Sequence, residues 1–218
     1  MKKSLLLAGV SFLALQSAFA DLVLIQKATT DGQVQEINVK IKGDKTRMDM
    51  GEQMTVIYDG ATSNMVMLMH AQKVMMKMDE ETLKSMMAMA GSALGGTAPA
   101  AKPVATGEKE KIGEHECEIY TWSGQLGTGK FWIAKDFPHY QELNAAQDKM
   151  TKAMGSPVSG MLPQASDFPG MVVKSELILS GKSNVSELVS MKEETVEEAV
   201  FVPPTDYQEM KMPGIPGK

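Results

Sequence analysis

The sequence predicts an α+β protein in which a long antiparallel β-sheet is interrupted by two helices. Apolar residues recur at every second position over most of the chain, and short, turn-rich connections separate these runs. Two other segments change to the spacing of an amphipathic helix. Because short connections join antiparallel neighbours, the strands should follow one another as meanders.

The first twenty residues have the features of an export signal. Lys2 and Lys3 precede an apolar run over residues 5–15, and Ala-Phe-Ala at 18–20 is the small-x-small pattern of a cleavage site. The run is shorter than the roughly 20 residues of a membrane-spanning helix. We therefore expect a signal peptide at 1–20, a single exported domain at 21–218 and a periplasmic location, with no stable membrane span after cleavage. The alternative is an anchor that stays uncleaved.

Charge and cysteine content exclude several classes of protein. The chain has 22 basic and 27 acidic residues. Without Lys2 and Lys3 the balance is 20 against 27, a formal charge of −7. This excess of acidic residues argues against binding to nucleic acid or to anionic membranes. Cys117 is the only cysteine, so no internal disulfide can form, and we expect a buried apolar residue there. The alternatives are a reactive thiol or a cysteine that pairs with another molecule.

Six strands are predicted before the first helix. They cover residues 21–28, 34–41, 45–50, 53–59, 64–69 and 72–78. If residues 71–72 form the last hairpin loop, Met65 faces Met78 and Met67 faces Met76 across strands about 4.8 Å apart. In that register Met69 lies on the same face of the sheet, whereas Met75 lies on the other.

Two helices and one long loop are predicted in the remainder. Asp79 should cap a helix that ends at Gly91 and carries an apolar stripe. The stripe consists of Leu83, Met86, Met87 and Ala90. An Ala/Gly/Pro-rich segment follows, predicted as a flexible loop at 91–110 that could let this helix move. A second helix is expected at 138–154, with a stripe of Leu143, Ala146, Met150 and Met154. The other predicted strands cover residues 111–122, 129–134, 171–179 and 184–194.

Four short motifs resemble those of a group of exported bacterial proteins that carry a domain of unknown function. They are Lys42-Gly-Asp-Lys-x-Arg-Met-Asp49, Gly113-x-x-x-Cys-x-x-Tyr120, Trp132-Ile-Ala-Lys-Asp-x-Pro138 and Phe201-x-x-Pro-x-x-Tyr-x-x-Met210. That group is similar in layout to the periplasmic lipoprotein carriers LolA and LolB. Those carriers hold acyl chains on the concave apolar face of a curved antiparallel half-barrel. The resemblance implies a half-barrel here too, with two helices over its concave face. It does not imply a function, because one fold serves many.

The sequence shows no catalytic constellation. The three histidines, His70, His115 and His139, do not have zinc-site spacing. No serine or cysteine stands in the pattern of an activated nucleophile. We therefore expect a protein that is not an enzyme and needs no cofactor.

Methionine is the residue type that points to a function. Twelve of the twenty methionines lie between Met48 and Met89. Flexible methionine side chains can repack around varied apolar shapes. The leading hypothesis is therefore a binding or carrier module for an apolar, lipid-like or lipoprotein ligand. The predicted ligand-binding residues are Met65, Met67, Met69, Met76, Met78, Met86 and Met87.

Two alternatives remain open at the level of sequence. Thioethers bind Cu(I), and a cross-strand pair such as Met67 and Met76 could contribute to a copper site. The protein could also be a structural envelope domain whose methionines only pack.

Overall fold

The protein is represented by a computed structural model that describes residues 21–82, 85, 101–153 and 159–210. The predicted signal peptide, Met86 and Met87, and residues 91–100 of the predicted loop lie outside the described residues. Twelve strands and one α-helix, α1, are present in the described ranges. The strands are β1 Leu22–Thr30, β2 Gln33–Lys42, β3 Lys45–Met50, β4 Met54–Asp59, β5 Asn64–Met69, β6 Val74–Met78, β7 Val104–Ile112, β8 His115–Gly124, β9 Gly127–Ala134, β10 Met171–Leu179, β11 Lys182–Glu193 and β12 Gln208–Glu209; α1 is Tyr140–Ala153.

All twelve strands belong to one sheet in the order β12-β6-β5-β4-β3-β2-β1-β11-β10-β9-β8-β7. Strands β1 to β6 form one antiparallel meander and β7 to β11 form a second. The two meanders meet where β1 pairs with β11. Only β12 is parallel to its neighbour, β6. The predicted six-strand meander is confirmed, and the sheet is largely antiparallel as expected.

Local backbone geometry explains why two of the hairpins are tight. Asp31 and Gly32 have φ angles of 50° and 82°, and Ser180 and Gly181 have 50° and 81°. Two consecutive positive φ angles are the signature of the turn whose twist matches that of the flanking strands. Aspartate, serine and glycine suit these positions, because a short polar side chain or no side chain tolerates the left-handed region.

The α+β prediction overestimates the helical content, because most of the described residues that have regular structure lie in β-strands. Besides α1, residues 80–82 are helical and begin the first predicted helix. Asp79 caps this helix as predicted, since its Oδ1 accepts a hydrogen bond of 2.8 Å from the Thr82 backbone N–H. The second predicted helix, 138–154, is observed as α1. None of the described helices is both long enough and apolar enough to cross a bilayer.

The predicted loop at 91–110 is too long at its carboxyl end. Residues 104–110 belong to β7, which pairs with β8 as the last strand of the sheet. The predicted strand at 111–122 is likewise two strands separated by a turn, where Gly113 has a φ of 58°. β7 escaped prediction because all but one of its residues are exposed, so it has no apolar alternation.

The two faces of β1 to β6 are covered by different parts of the chain. One face carries Leu24, Val39 and Val56 and packs against α1. The opposite face carries Ile57 and Leu68. A carboxyl-terminal segment, residues 194–210, covers this second face with its own cluster of apolar side chains. These are Val196, Val200, Phe201 and Tyr207.

Polar contacts hold the first part of the carboxyl-terminal segment in place at two points. The Asp21 carboxylate accepts hydrogen bonds of 2.8 Å from the Lys42 ammonium and from the Val196 backbone N–H. Arg47 Nη1 donates to the Val200 carbonyl at 2.8 Å. Within this segment Phe201 is buried, and β12 extends the sheet by pairing with β6.

A histidine links the start of α1 to the end of β11. His139 Nδ1 lies 3.0 Å from a Glu142 carboxylate oxygen, and Nε2 lies 2.9 Å from a Glu193 carboxylate oxygen. Hydrogen bonding to Glu193, and then to Glu142, raises the pKa of His139 above its usual value despite partial desolvation. The folded state therefore favours the protonated imidazole.

This bridge predicts a pH dependence of stability. When the pKa of a histidine is higher in the folded state, its protonation stabilises the fold. This stabilisation is complete below the unfolded-state pKa of about 6.5 and is lost as pH rises through the folded-state pKa. We expect the stability advantage of wild type over His139→Asn to decrease between pH 6 and pH 8. Urea unfolding of both proteins at the two pH values measures this difference in the free energy of unfolding. Parallel pH profiles for the two proteins would contradict the prediction.

Candidate functional site

Eight methionines share one face of strands β3 to β6, which we call the methionine face. The strand register brings them together: Met65 pairs with Met78, Met67 with Met76 and Met54 with Met69. The eight are Met48, Met50, Met54, Met65, Met67, Met69, Met76 and Met78. The two predicted pairings of β5 with β6 are confirmed, and Met75 lies on the opposite face as expected.

The predicted ligand-binding methionines differ in exposure. Met65 and Met78 are only 1% and 5% exposed and pack against Met150 of α1. Met67 is half-buried beside this cluster. Met69 and Met76 are also half-buried. Met86 and Met87, from the first predicted helix, lie outside the described residues. Their proposed role in binding stays a prediction.

Helix α1 lies over this side of the sheet with the predicted apolar stripe turned inward. Leu143 is 4% exposed and packs into the cluster that contains Leu24 and Val39. Met150, two turns later, is 8% exposed and reaches the methionine face. Ala146 lies between them and is half-buried, because its methyl group is too short to fill the space below the helix. Met154, the last residue of the predicted stripe, lies outside the described residues.

An apolar crevice lies between α1 and the sheet. It consists of two adjacent cavities of about 360 Å³ and 210 Å³ that share Ile41, Thr46, Leu143 and Ala146 as lining residues. The smaller cavity has no charged side chain in its described lining. The remaining residues of that lining are Leu24, Gln26, Val39, Met48, Gln147, Met150, Thr151 and Met171. Small-molecule sites usually measure about 300–1,000 Å³ and are mostly apolar, so the larger cavity is within that range.

Two buried polar residues position α1. The Asn144 amide donates to the Ala165 and Gly170 carbonyls at 3.0 and 3.1 Å. The Asp148 carboxylate accepts from the backbone N–H groups of Ala165 and Ser166 at 3.0 and 3.3 Å. These bonds attach the helix to the segment that leads into β10. The crevice is therefore a gap below an anchored helix.

The outer end of the larger cavity has a charged rim. Lys149 of α1 and Asp44 of the β2–β3 turn line it and form an ion pair of 3.0 Å. Both side chains are more than half exposed, so this pair contributes little to stability. The entrance is thus polar and the interior apolar, an arrangement suited to a ligand with one polar end.

Sequence reasoning missed most of the crevice lining. It selected methionines of β5 and β6, whereas the described cavities are bordered by Met48, Met150 and Met171 together with aliphatic residues of β1 and β2. One available signal was the confirmed alternation, which extends from β5 through β4 to Met48. The contribution of Met171 depends on tertiary packing and had no signal in the sequence.

Other chemistries find less support among the described residues. A larger depression of about 730 Å³ lies on β7 to β11, but its rim carries Lys102, Lys130 and Glu176. No group of three His, Cys, Asp or Glu side chains in the described ranges is placed to hold a metal ion. Cys117 is fully buried, and burial raises the pKa of its thiol, which disfavours the reactive thiolate.

Comparison of the sequence with protein families gives one match. Residues 21–207 match the family described as Domain of unknown function (DUF4412). This chain belongs to the DUF4412 family. The predicted membership of a family of unknown function is confirmed. No curated protein matches the DUF4412 chain in sequence.

Several solved structures are similar to the DUF4412 chain at low sequence identity. PNGF-II has a TM-score of 0.44 and 14% identity over 88% of this chain and 31% of its own, so the chain spans about a third of PNGF-II. The lipoprotein LppX of Mycobacterium tuberculosis has a TM-score of 0.39 and 12% identity over 80% and 88%. The MucA/MucB complex of Pseudomonas aeruginosa gives 0.41 and 9% over 89% and 59%. Such low scores give no information about the ligand of this chain.

Proposed function

We propose that the DUF4412 chain is a non-catalytic periplasmic module that binds an apolar, lipid-like or lipoprotein ligand in the crevice under α1. The observation that carries the proposal is the crevice itself, with an apolar interior and a charged rim at one end. A packed structural domain would need no such space, because protein interiors are normally filled to high density.

The methionine face supports the same proposal. It continues the crevice along the sheet from Met48 toward Met67 and Met76. Flexible thioether side chains can adapt to acyl chains of different length, which suits a carrier. A half-barrel curvature, as in the LolA and LolB carriers that the sequence resembles, would place this face inside the concavity. The export signal expected at 1–20 is consistent with an envelope location.

Binding in the crevice can be tested by filling the crevice with a larger side chain. Ala146 lines both cavities, so Ala146→Trp would place an indole ring in the space below α1. We expect this variant to bind the apolar fluorophore N-phenyl-1-naphthylamine about tenfold or more weakly than wild type. Fluorescence titration of the full chain measures the change.

The matched control is Gln141→Trp, which adds the same ring at an exposed position of the same helix. It should bind the fluorophore as wild type does. Equal affinities for Ala146→Trp and Gln141→Trp, with both proteins folded by circular dichroism, would show that the crevice is not the binding site.

Native mass spectrometry of the protein purified from the envelope of its native host can identify the ligand. A co-purifying mass in the lipid range would support the carrier function. A bare protein mass, together with no fluorophore binding, would leave a structural role.

A further inference from the structure

The methionine face has two ends in different environments. At one end Met65 and Met78 are buried below α1. At the other end Met50, Met54 and Met69 are half-buried. Met54 pairs directly with Met50 on β3 and with Met69 on β5. The three residues therefore form a row across adjacent strands, with their side chains on the same face.

We propose that Met50, Met54 and Met69 form a binding site for Cu(I), with three thioether sulfurs as ligands. Directly paired residues on antiparallel strands have Cα atoms about 4.5–5.5 Å apart. A methionine side chain has three rotatable bonds, so three sulfurs in one row can converge on one ion above the central Met54. Neutral thioethers select soft monovalent copper over harder divalent ions.

The exposure of the row favours a ligand role over packing. Neither Met54 nor Met69 belongs to any of the four apolar clusters formed by the described residues. A metal must reach its ligands from solvent, and half-buried sulfurs allow this whereas the buried Met65 does not. Met50 packs against the edge of the cluster that contains Met65, as Met67 does. The pair Met67 and Met76 is a weaker candidate because it offers only two sulfurs.

The copper site is separate from the crevice under α1. None of Met50, Met54 and Met69 is among the described lining residues of the two cavities. Blocking the crevice with Ala146→Trp should therefore leave Cu(I) binding intact, because Ala146 lines the cavities and is not part of the row. The triple variant of the row should lose Cu(I) binding whatever its affinity for the fluorophore. Either proposal can fail without the other.

The experiment measures Cu(I) affinity of the full chain under anaerobic, reducing conditions, by competition with bathocuproine disulfonate. The site variant carries Met50→Leu, Met54→Leu and Met69→Leu, which preserve volume and apolar character. The control carries Met75→Leu, Met161→Leu and Met191→Leu, which remove the same number of methionines away from the row. We expect wild type and control to bind one Cu(I), and the site variant to bind about tenfold or more weakly.

A second measurement needs no variant. Ag(I) is a redox-inert substitute for Cu(I), and addition of one equivalent to methyl-labelled wild type should shift the ε-methyl NMR signals of these three methionines first. Equal copper affinity of the site and control variants, absence of Cu(I) binding by wild type, or Ag(I) shifts confined to other methionines would each overturn the proposal.

Discussion

Phe201→Ala is expected to lower the free energy of unfolding by about 3–5 kcal/mol, the usual cost of truncating a buried phenylalanine. Phe201 is 7% exposed and packs with Ile57 and Leu68 on the face opposite the methionine face. Leu68 is fully buried, so loss of the ring would leave a cavity against a side chain that cannot move into it. Urea unfolding followed by circular dichroism gives the free-energy difference.

Val202→Ala is the control for this effect. Val202 is the next residue and is 64% exposed, so its truncation should change stability by less than about 0.5 kcal/mol. A cost below about 1 kcal/mol for Phe201→Ala would mean that the carboxyl-terminal segment does not cover this face in solution.

Thr55→Val is expected to cost about 1–3 kcal/mol, because it removes the central hydroxyl of a chain of polar groups. The Thr55 hydroxyl is fully buried and donates a hydrogen bond of 2.6 Å to an Asp49 carboxylate oxygen. It also lies 2.9 Å from His70 Nε2, and His70 Nδ1 lies 2.6 Å from the Tyr207 hydroxyl. Burial alone would raise the pKa of Asp49, but hydrogen bonds from Arg47 and Thr55 lower it below its usual value.

The proton positions along this chain follow from the donors available. The single hydroxyl proton of Thr55 is used for Asp49, so Thr55 must accept a proton from His70 Nε2. In the neutral imidazole, Nδ1 then accepts from the Tyr207 hydroxyl. Valine has nearly the same shape as threonine but removes the Thr55 hydrogen bond to Asp49, which keeps its bonds from Arg47, and leaves His70 Nε2 without its acceptor.

Thr55→Ser retains the hydroxyl and tests whether the hydrogen bonds or the methyl group matter. It should cost less than Thr55→Val when both are measured by urea unfolding. The nitrogen chemical shifts of His70 should also show protonation at Nε2 in wild type and change in Thr55→Val. Equal stability of the two variants would refute a stabilising role for the chain of hydrogen bonds.

The sequence predicts the fold best where apolar residues occur at every second position of a strand and so share one face of the sheet. The register of β5 and β6 was predictable because Met65, Met67 and Met69 alternate with other residues and the hairpin is short. A one-residue slip would have turned every methionine to the other face, so the pattern specifies the pairing strongly. β7 lacked this signal, since a strand that is exposed on both faces has no apolar period.

The site was less predictable, because it depends on how distant segments pack. The sequence marked Ala146 as part of the buried stripe of α1, and the structure shows that its small side chain leaves space. No periodic pattern distinguishes an alanine that packs tightly from one that borders a cavity. The carboxyl-terminal segment was missed for a related reason: Phe201 and Val196 are isolated apolar residues whose partners lie far away in sequence.

The pairing of β1 with β11 has a consequence for how the chain acquires its structure. Leu22 pairs with Glu193, and the pairing continues to the end of β1 with one shift of register between Ile25 and Gln26. Each meander can form from neighbouring hairpins, but β1 must keep one edge open until β11 has been synthesised. Contacts between residues so distant in sequence form late and slowly. During that interval β1 presents unpaired backbone groups to other chains. The pairing of β1 with β11 is therefore the folding step at which aggregation is most to be expected.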